Sequence, residues 1–249
     1  TEKMKAIILS AGQGKRLLPL TKDTPKAALK IGTQSLLGWQ LQEISKTSIE
    51  EVVVITGFGA DKIEDIVEKS SFRGVRTFFN PFYQNCDNLG TCWVARGEMT
   101  RPFVIINGDT IFQAGVLKKL LEDESKCPIT IACDQKPSYD SDDMKIIERE
   151  GEIQRVSKTL PTNEVTGESI GMIRFNSIGA KIFTKQLETI MRKNSGLGKW
   201  YLSAIDSLAG NGTVSSCFVG DFSWCEVDDK ADLVAATQSV KQWNLKALK

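Results

Sequence analysis

The run Met4-Lys5-Ala6-Ile7-Ile8-Leu9 breaks straight into the small residues Ser10-Ala11-Gly12 and then Gln13-Gly14-Lys15-Arg16. A short, nearly continuous apolar run of this kind reads as a strand buried on both faces, the situation of parallel sheets covered by helices. Glycines placed directly after such a strand let the backbone approach a phosphate and turn its N–H groups toward it. One stretch therefore predicts both a parallel α/β sheet and a phosphate-binding turn at its carboxyl edge.

The first half of the chain repeats the pattern. Residues 51–56, 75–79 and 103–106 read as further strands, the last running into Asn107-Gly108-Asp109. Helical periodicity covers roughly 35–47 and resumes near Ala60, with Ile63, Ile66 and Val67 on one face. This alternation predicts an α/β fold of Rossmann-like, doubly wound type. The second half is less regular. Strands are expected at 128–133 and 168–175, a hairpin at 144–148 and 152–156 around Glu150-Gly151, and helices over about 178–193, 200–209 and 229–247. The assembled expectation is a mixed sheet carrying a small β-rich appendage, with no linker, repeat or low-complexity tract to divide residues 1–249.

Composition removes whole classes of function. The chain has no histidine, which excludes Ser-His-Asp and Cys-His catalysis, histidine general bases and histidine metal sites. Its six cysteines form no C-x-x-C, so neither a zinc site nor a disulfide framework is indicated, and reduced thiols in a cytoplasmic protein are expected. No run of apolar residues is long enough to cross a membrane, and the four apolar residues after Lys5 are too few for a secretory segment. Net charge is only +1, yet residues 1–30 carry seven Lys or Arg against Glu2 and Asp23. A local cationic cluster on a balanced chain suits a small phosphorylated ligand better than nucleic acid.

Two familiar phosphate motifs fail against the glycine turn. A dinucleotide fingerprint needs a small residue at 17, where Leu17 leads to Pro19 instead of a helix. A Walker A motif needs Gly at 9 and Ser or Thr at 16, where the chain has Leu9 and Arg16. The longer stretch, Leu9 through Leu17, then Pro19-Leu20-Thr21, then Thr24-Pro25-Lys26-Ala27, resembles the signature of the nucleotidyltransferase superfamily that acts on sugar 1-phosphates and phosphoalcohols.

That resemblance implies roles, residue by residue. Ala11, Gly12 and Gly14 would receive the nucleotide, Arg16 would contact the outgoing diphosphate, and Lys26 the phosphates at the reaction centre. Asp109, and Asp228 in Glu226-Val227-Asp228, would hold Mg²⁺, for which two carboxylates plus substrate phosphates suffice. Asp142-Asp143-Met144-Lys145, Val156-Ser157-Lys158, Gly167-Glu168-Ser169-Ile170-Gly171 and the Asn-rich segment ending in Asn88 resemble the branch that makes CDP-activated phosphoalcohols and phosphonates. Leu89-Gly90-Thr91 departs from the phosphocholine members, which carry an aromatic residue and serine there. In this reading residues 1–125 take the nucleotide, with Asn88 in its wall, and 126–249 the acceptor. Lys158 would meet the acceptor phosphate, while Glu168, Tyr201 and Trp224 would contact the acceptor itself.

The expected reaction is Mg²⁺-dependent transfer of CMP from CTP to a small phosphoalcohol or phosphonate, with release of diphosphate. Partners would be CTP and that acceptor, with no nucleic acid and no membrane insertion; a homodimer stays open. Two alternatives also stay open: a sugar-1-phosphate uridylyl- or guanylyltransferase, and a nucleotide-binding regulatory module without turnover. Without alignment to the branch, the plain readings are a surface lysine for Lys26, helix caps for Asp228 or Asp229, and helix-face core for Trp200 and Tyr201.

Overall fold

The computed structural model describes residues 3–247; Thr1 and Glu2 of the N-terminal stretch lie outside it. The first half runs β1 (Lys5–Ser10), β2 (Lys30–Ile31), β3 (Gln34–Ser35), α1 (Leu36–Ile44), β4 (Glu51–Thr56), α2 (Ala60–Glu68), β5 (Val75–Phe79), α3 (Asn88–Val94), β6 (Phe103–Asn107), β7 (Thr110–Phe112) and α4 (Ala114–Glu122). The second half runs β8 (Ile129–Asp134), β9 (Lys145–Arg149), β10 (Glu152–Ser157), β11 (Gly167–Phe175), α5 (Ser177–Met191), α6 (Tyr201–Leu208), β12 (Val214–Phe218), β13 (Trp224–Glu226) and α7 (Lys230–Ala247).

Nine strands form one mixed sheet in the order β5-β4-β1-β6-β11-β8-β12-β10-β9. β1 lies parallel to both β4 and β6, with Ile7 beside Val53 on one side and Ile105 on the other. Strand residues alternate between faces, so Ile7, Val53 and Ile105 enter one core and Ala6, Val52 and Val104 enter the other. The apolar runs are continuous because helices cover both faces.

The β-rich appendage is the β9–β10 hairpin, and it does not stand apart from the sheet. It turns through Glu150 (φ 52°) and Gly151 (φ 84°), pairs through β10 with β12, and returns through β9 to the start of β11. Strands β11, β8, β12, β10 and β9 thus close a ring beside the open half of the sheet. Sequence periodicity overlooks α3, seven residues containing Gly90 and Thr91, because such a segment has little intrinsic helix propensity.

A third, smaller core positions the site. Leu17, Ile31, Leu36 and Trp39 from the N-terminal segment pack with Ile111, Val227, Ala236 and Val240. That contact fixes the chain immediately after Arg16 to the chain immediately before Asp228. No helix among the described residues is long and apolar enough to cross a membrane.

Candidate active site

β1 and β6 end side by side, Leu9 beside Asn107, and a cavity of about 950 Å³ opens where both strands stop. This is the carboxyl edge at which open α/β sheets gather ligands. Its floor is the glycine turn. Gln13 Nε2 donates to the Thr21 carbonyl at 2.9 Å, and Thr21 Oγ1 donates back to the Gly14 carbonyl at 2.8 Å. Gly14 holds φ +80°, and a Cβ there would meet the Lys26 side chain at 3.0 Å, so the lysine lies directly over the turn. Gly12 has open space where a Cβ would point. The Ala11 carbonyl accepts from Phe58 N at 3.0 Å, pinning that end of the turn.

Lys26 reaches into an acidic pair. Its Nζ lies 3.2 Å from Asp109 Oδ2 and 2.8 Å from Asp228 Oδ1. Burial pulls the ammonium's pKa down, but the charges of Asp109 and Asp228 outweigh it, so the group is held above its ordinary value. For Asp228 burial pushes upward and the facing Lys26, with Arg16 behind it, brings the net shift downward. Arg16 Nη2 lies 3.0 Å from Asp228 Oδ2 and its Nη1 3.0 Å from Asp142 Oδ2. Asp142 also faces Lys158 Nζ at 3.6 Å, and that ammonium sits 4.5 Å above the Trp200 ring. Five sequence-predicted groups, Arg16, Lys26, Asp109, Lys158 and Asp228, therefore form one connected set.

The helix-cap reading of Asp228 is resolved by its neighbours. Asp229 accepts from the N–H groups of Ala231 and Asp232, and Asp232 accepts from those of Asp228 and Asp229. Those two residues cap α7 between them and leave the Asp228 side chain to the cations. Asp109 Oδ1 is buried with no hydrogen-bond partner. An orphaned carboxylate oxygen beside a second carboxylate is the donor set of a hard divalent cation completed by phosphate oxygens. Among the described residues no three acidic or thiol groups are arranged to hold a metal by themselves.

The predicted acceptor residues are placed differently. Tyr201 is fully buried, and its hydroxyl donates to Asn107 Oδ1 at 2.9 Å. It presents no face to an acceptor, which corrects that expectation; the aromatic at the cavity is its neighbour Trp200, 45% exposed. The signal was positional. Trp200 is the N-cap residue of α6, whose buried residues begin with Tyr201. Asn88 lines the cavity, with its Oδ1 accepting from Tyr201 N at 2.7 Å. Trp224 turns from the cavity, donating Nε1 to Asp134 Oδ2 at 2.6 Å. Glu168 is buried beside Lys136 at 3.2 Å, and burial pushes its carboxyl up to about 7.

Glu226 is the group that sequence reasoning did not single out. It ends β13, paired with Thr110, two positions before Asp228. Burial, then the charges of Asp109, Asp228 and Glu168, push its carboxyl upward. Two of these acidic neighbours, Asp109 and Glu168, come from distant segments, and no local pattern announces them.

Known proteins resemble this chain in sequence and in fold. The choline-phosphate cytidylyltransferase of Streptococcus pneumoniae is 32% identical over 110 residues, covering 44% of this chain and 47% of that protein's length. The CTP:phosphoglutamine cytidylyltransferase of Campylobacter jejuni is 23% identical over 251 residues, covering 92% of this chain and 98% of its own. The solved structure of the S. pneumoniae CTP:phosphocholine cytidylyltransferase superposes with a TM-score of 0.79 at 18% identity, over 96% of this chain and 99% of that one, a likeness of fold. The nucleotidyl transferase profile matches residues 5–242. With the glycine turn, its lysine and the paired aspartates in one cavity, the chain belongs to the nucleotidyl transferase family.

Proposed function

We propose that the protein transfers CMP from CTP to a small phosphoalcohol or phosphonate and releases diphosphate. The observation that carries the reading is the Lys26 ammonium between Asp109 and Asp228 over the glycine turn. This centre can take a polyanion and a divalent cation together.

The acceptor's phosphate or phosphonate oxygen attacks the α-phosphorus in line, and the bond to diphosphate breaks. The nucleophile is already an anion near neutral pH, so no general base is needed and a histidine-free chain suffices. Catalysis is then positioning and charge stabilisation. The N–H groups of the turn at 11–14 cradle the triphosphate. Lys26 meets negative charge concentrating at the α-phosphate, Arg16 holds the departing diphosphate, and Lys158 offsets repulsion between the two anions. Asp109 and Asp228 would hold Mg²⁺, which when bound neutralises phosphate charge as a Lewis acid.

The acceptor's far end is compact and cationic in this reading. Support comes from Asp142, the exposed carboxylate beside Lys158, and from the exposed ring of Trp200 at the cavity. A ring adds only about 0.5–2 kcal/mol to a cation, so it sets a preference and not an absolute choice. Diphosphate release is measured with CTP, UTP and GTP against phosphocholine, aminoalkyl phosphonates, inositol 1-phosphate and glucose 1-phosphate. CTP with an amine-bearing acceptor should lead. A hexose 1-phosphate with UTP ahead by more than about tenfold, a gap near 1.4 kcal/mol, assigns the sugar reaction instead.

A further inference from the structure

Asn107 is the last residue of β6, two before Asp109, and it lines the cavity. Its backbone is already committed. It pairs with Leu9 of β1, and its carbonyl accepts from Gln40 Nε2 at 2.8 Å. The side chain is committed at one end only. Oδ1 accepts from the Tyr201 hydroxyl at 2.9 Å, whereas Nδ2 has no acceptor among the described residues. Gly171 provides the room the amide occupies. A Cβ there would lie 2.6 Å from Asn107 Nδ2, and the residue holds φ +74°.

A carboxamide has a donor end and an acceptor end of nearly equal size. Beside a phosphate the two have opposite consequences, attraction for N–H and repulsion for the carbonyl. Tyr201 decides between them. Its hydroxyl donates to Oδ1 at 2.9 Å, and burial, which pushes the phenol well above its ordinary range, keeps that proton in place. The same residue's backbone N–H is held by Asn88 in the cavity wall at 2.7 Å.

We propose that Asn107 is a ligand-contacting residue whose Nδ2 donates to a phosphate oxygen of the bound nucleotide, and that Tyr201 is the positioning residue that fixes the amide's orientation. This inference rests on the reading that a nucleoside triphosphate occupies the cavity.

The test compares Asn107→Leu, Asn107→Ser, Tyr201→Phe and the Tyr201→Phe/Asn107→Leu double variant with the wild type. Nucleotide affinity is measured by calorimetry with MgCl2 present, alongside kcat, KM and thermal stability. The probe is whichever of CTP or UTP the wild type binds. Losing a hydrogen bond to a charged group should weaken binding roughly 10–100-fold in Asn107→Leu. Asn107→Ser guards against a folding failure and should show the same direction. Tyr201→Phe should weaken binding about 3–10-fold, a fraction of that same interaction, and add nothing once Asn107 is leucine. A merely structural tyrosine would lower thermal stability and weaken binding equally in both backgrounds, which overturns the positioning role. Asn107 variants binding within twofold of wild type overturn the contact. Wild-type turnover tests the reading above separately: binding without turnover sinks that reading and leaves these comparisons decisive, and a wild type binding neither nucleotide overturns both.

Discussion

Lys26 Nζ lies 2.8 Å from Asp228 Oδ1, a contact between residues 202 positions apart. It joins the N-terminal glycine-turn region to the segment before the last helix, and it is held by packing on both flanks: Leu17 and Val227 meet in one apolar cluster. The ion pair and the cluster are two layers of one arrangement. The cluster brings the segments together, and the electrostatics orient their polar ends.

Lys26→Ala should lower turnover on the order of 10²–10³-fold while weakening CTP binding far less, because the ammonium is proposed to meet charge that concentrates during transfer. Steady-state kinetics with a binding titration checks this. Unchanged turnover would leave Lys26 as a structural partner of the two aspartates.

Asp228→Asn should raise the Mg²⁺ concentration needed for activity without unravelling α7, since Asp229 and Asp232 supply the cap. Asp229→Ala should do the reverse, lowering stability by about 1 kcal/mol with the Mg²⁺ requirement unchanged. Magnesium titrations and thermal melts of both variants separate the roles. A metal requirement that moves with Asp229 instead of Asp228 would contradict the assignment.

Asp142 is well exposed yet touches Arg16 and approaches Lys158, two cations proposed to hold phosphate. A bound anion must compete with it. Exposed ion pairs are worth about 0–1 kcal/mol, so Asp142→Asn should tighten nucleotide or diphosphate binding by no more than about fivefold. Weaker binding in this variant would mean that Asp142 orients the cations instead of competing for them.

Glu168 predicts a pH signature. Its carboxyl moves from 4.5 to about 7, with burial as the leading cause. Between those values the folded state holds more protons than the unfolded, so this group's contribution to stability falls as pH rises through the window. Glu168→Gln does not titrate. Its melting temperature should therefore gain on the wild type from pH 4.5 to about 7 and level off above that. A difference that stays constant across the range would remove Glu168 as the source.

The sequence by itself determined the strand-then-glycine turn, the doubly wound first half, and Arg16, Lys26, Asp109 and Asp228 as residues of interest. The strand and the turn rest on local signals, an apolar run and the glycines after it; the four residues are marked by their place in the resemblance to the nucleotidyltransferase signature. Tertiary structure decided the rest. Adjacent positions at a helix start point in different directions, so Trp200 reaches the cavity while Tyr201 is buried on Asn107, and composition could not choose between two neighbouring aromatics. Glu226 acquires its character from Asp109 and Glu168, which lie far away in sequence. The free end of the Asn107 amide depends on a tyrosine 94 residues downstream. Periodicity reports which face of a segment is apolar, but the environment of a polar group is set by which other segments the packed core brings beside it.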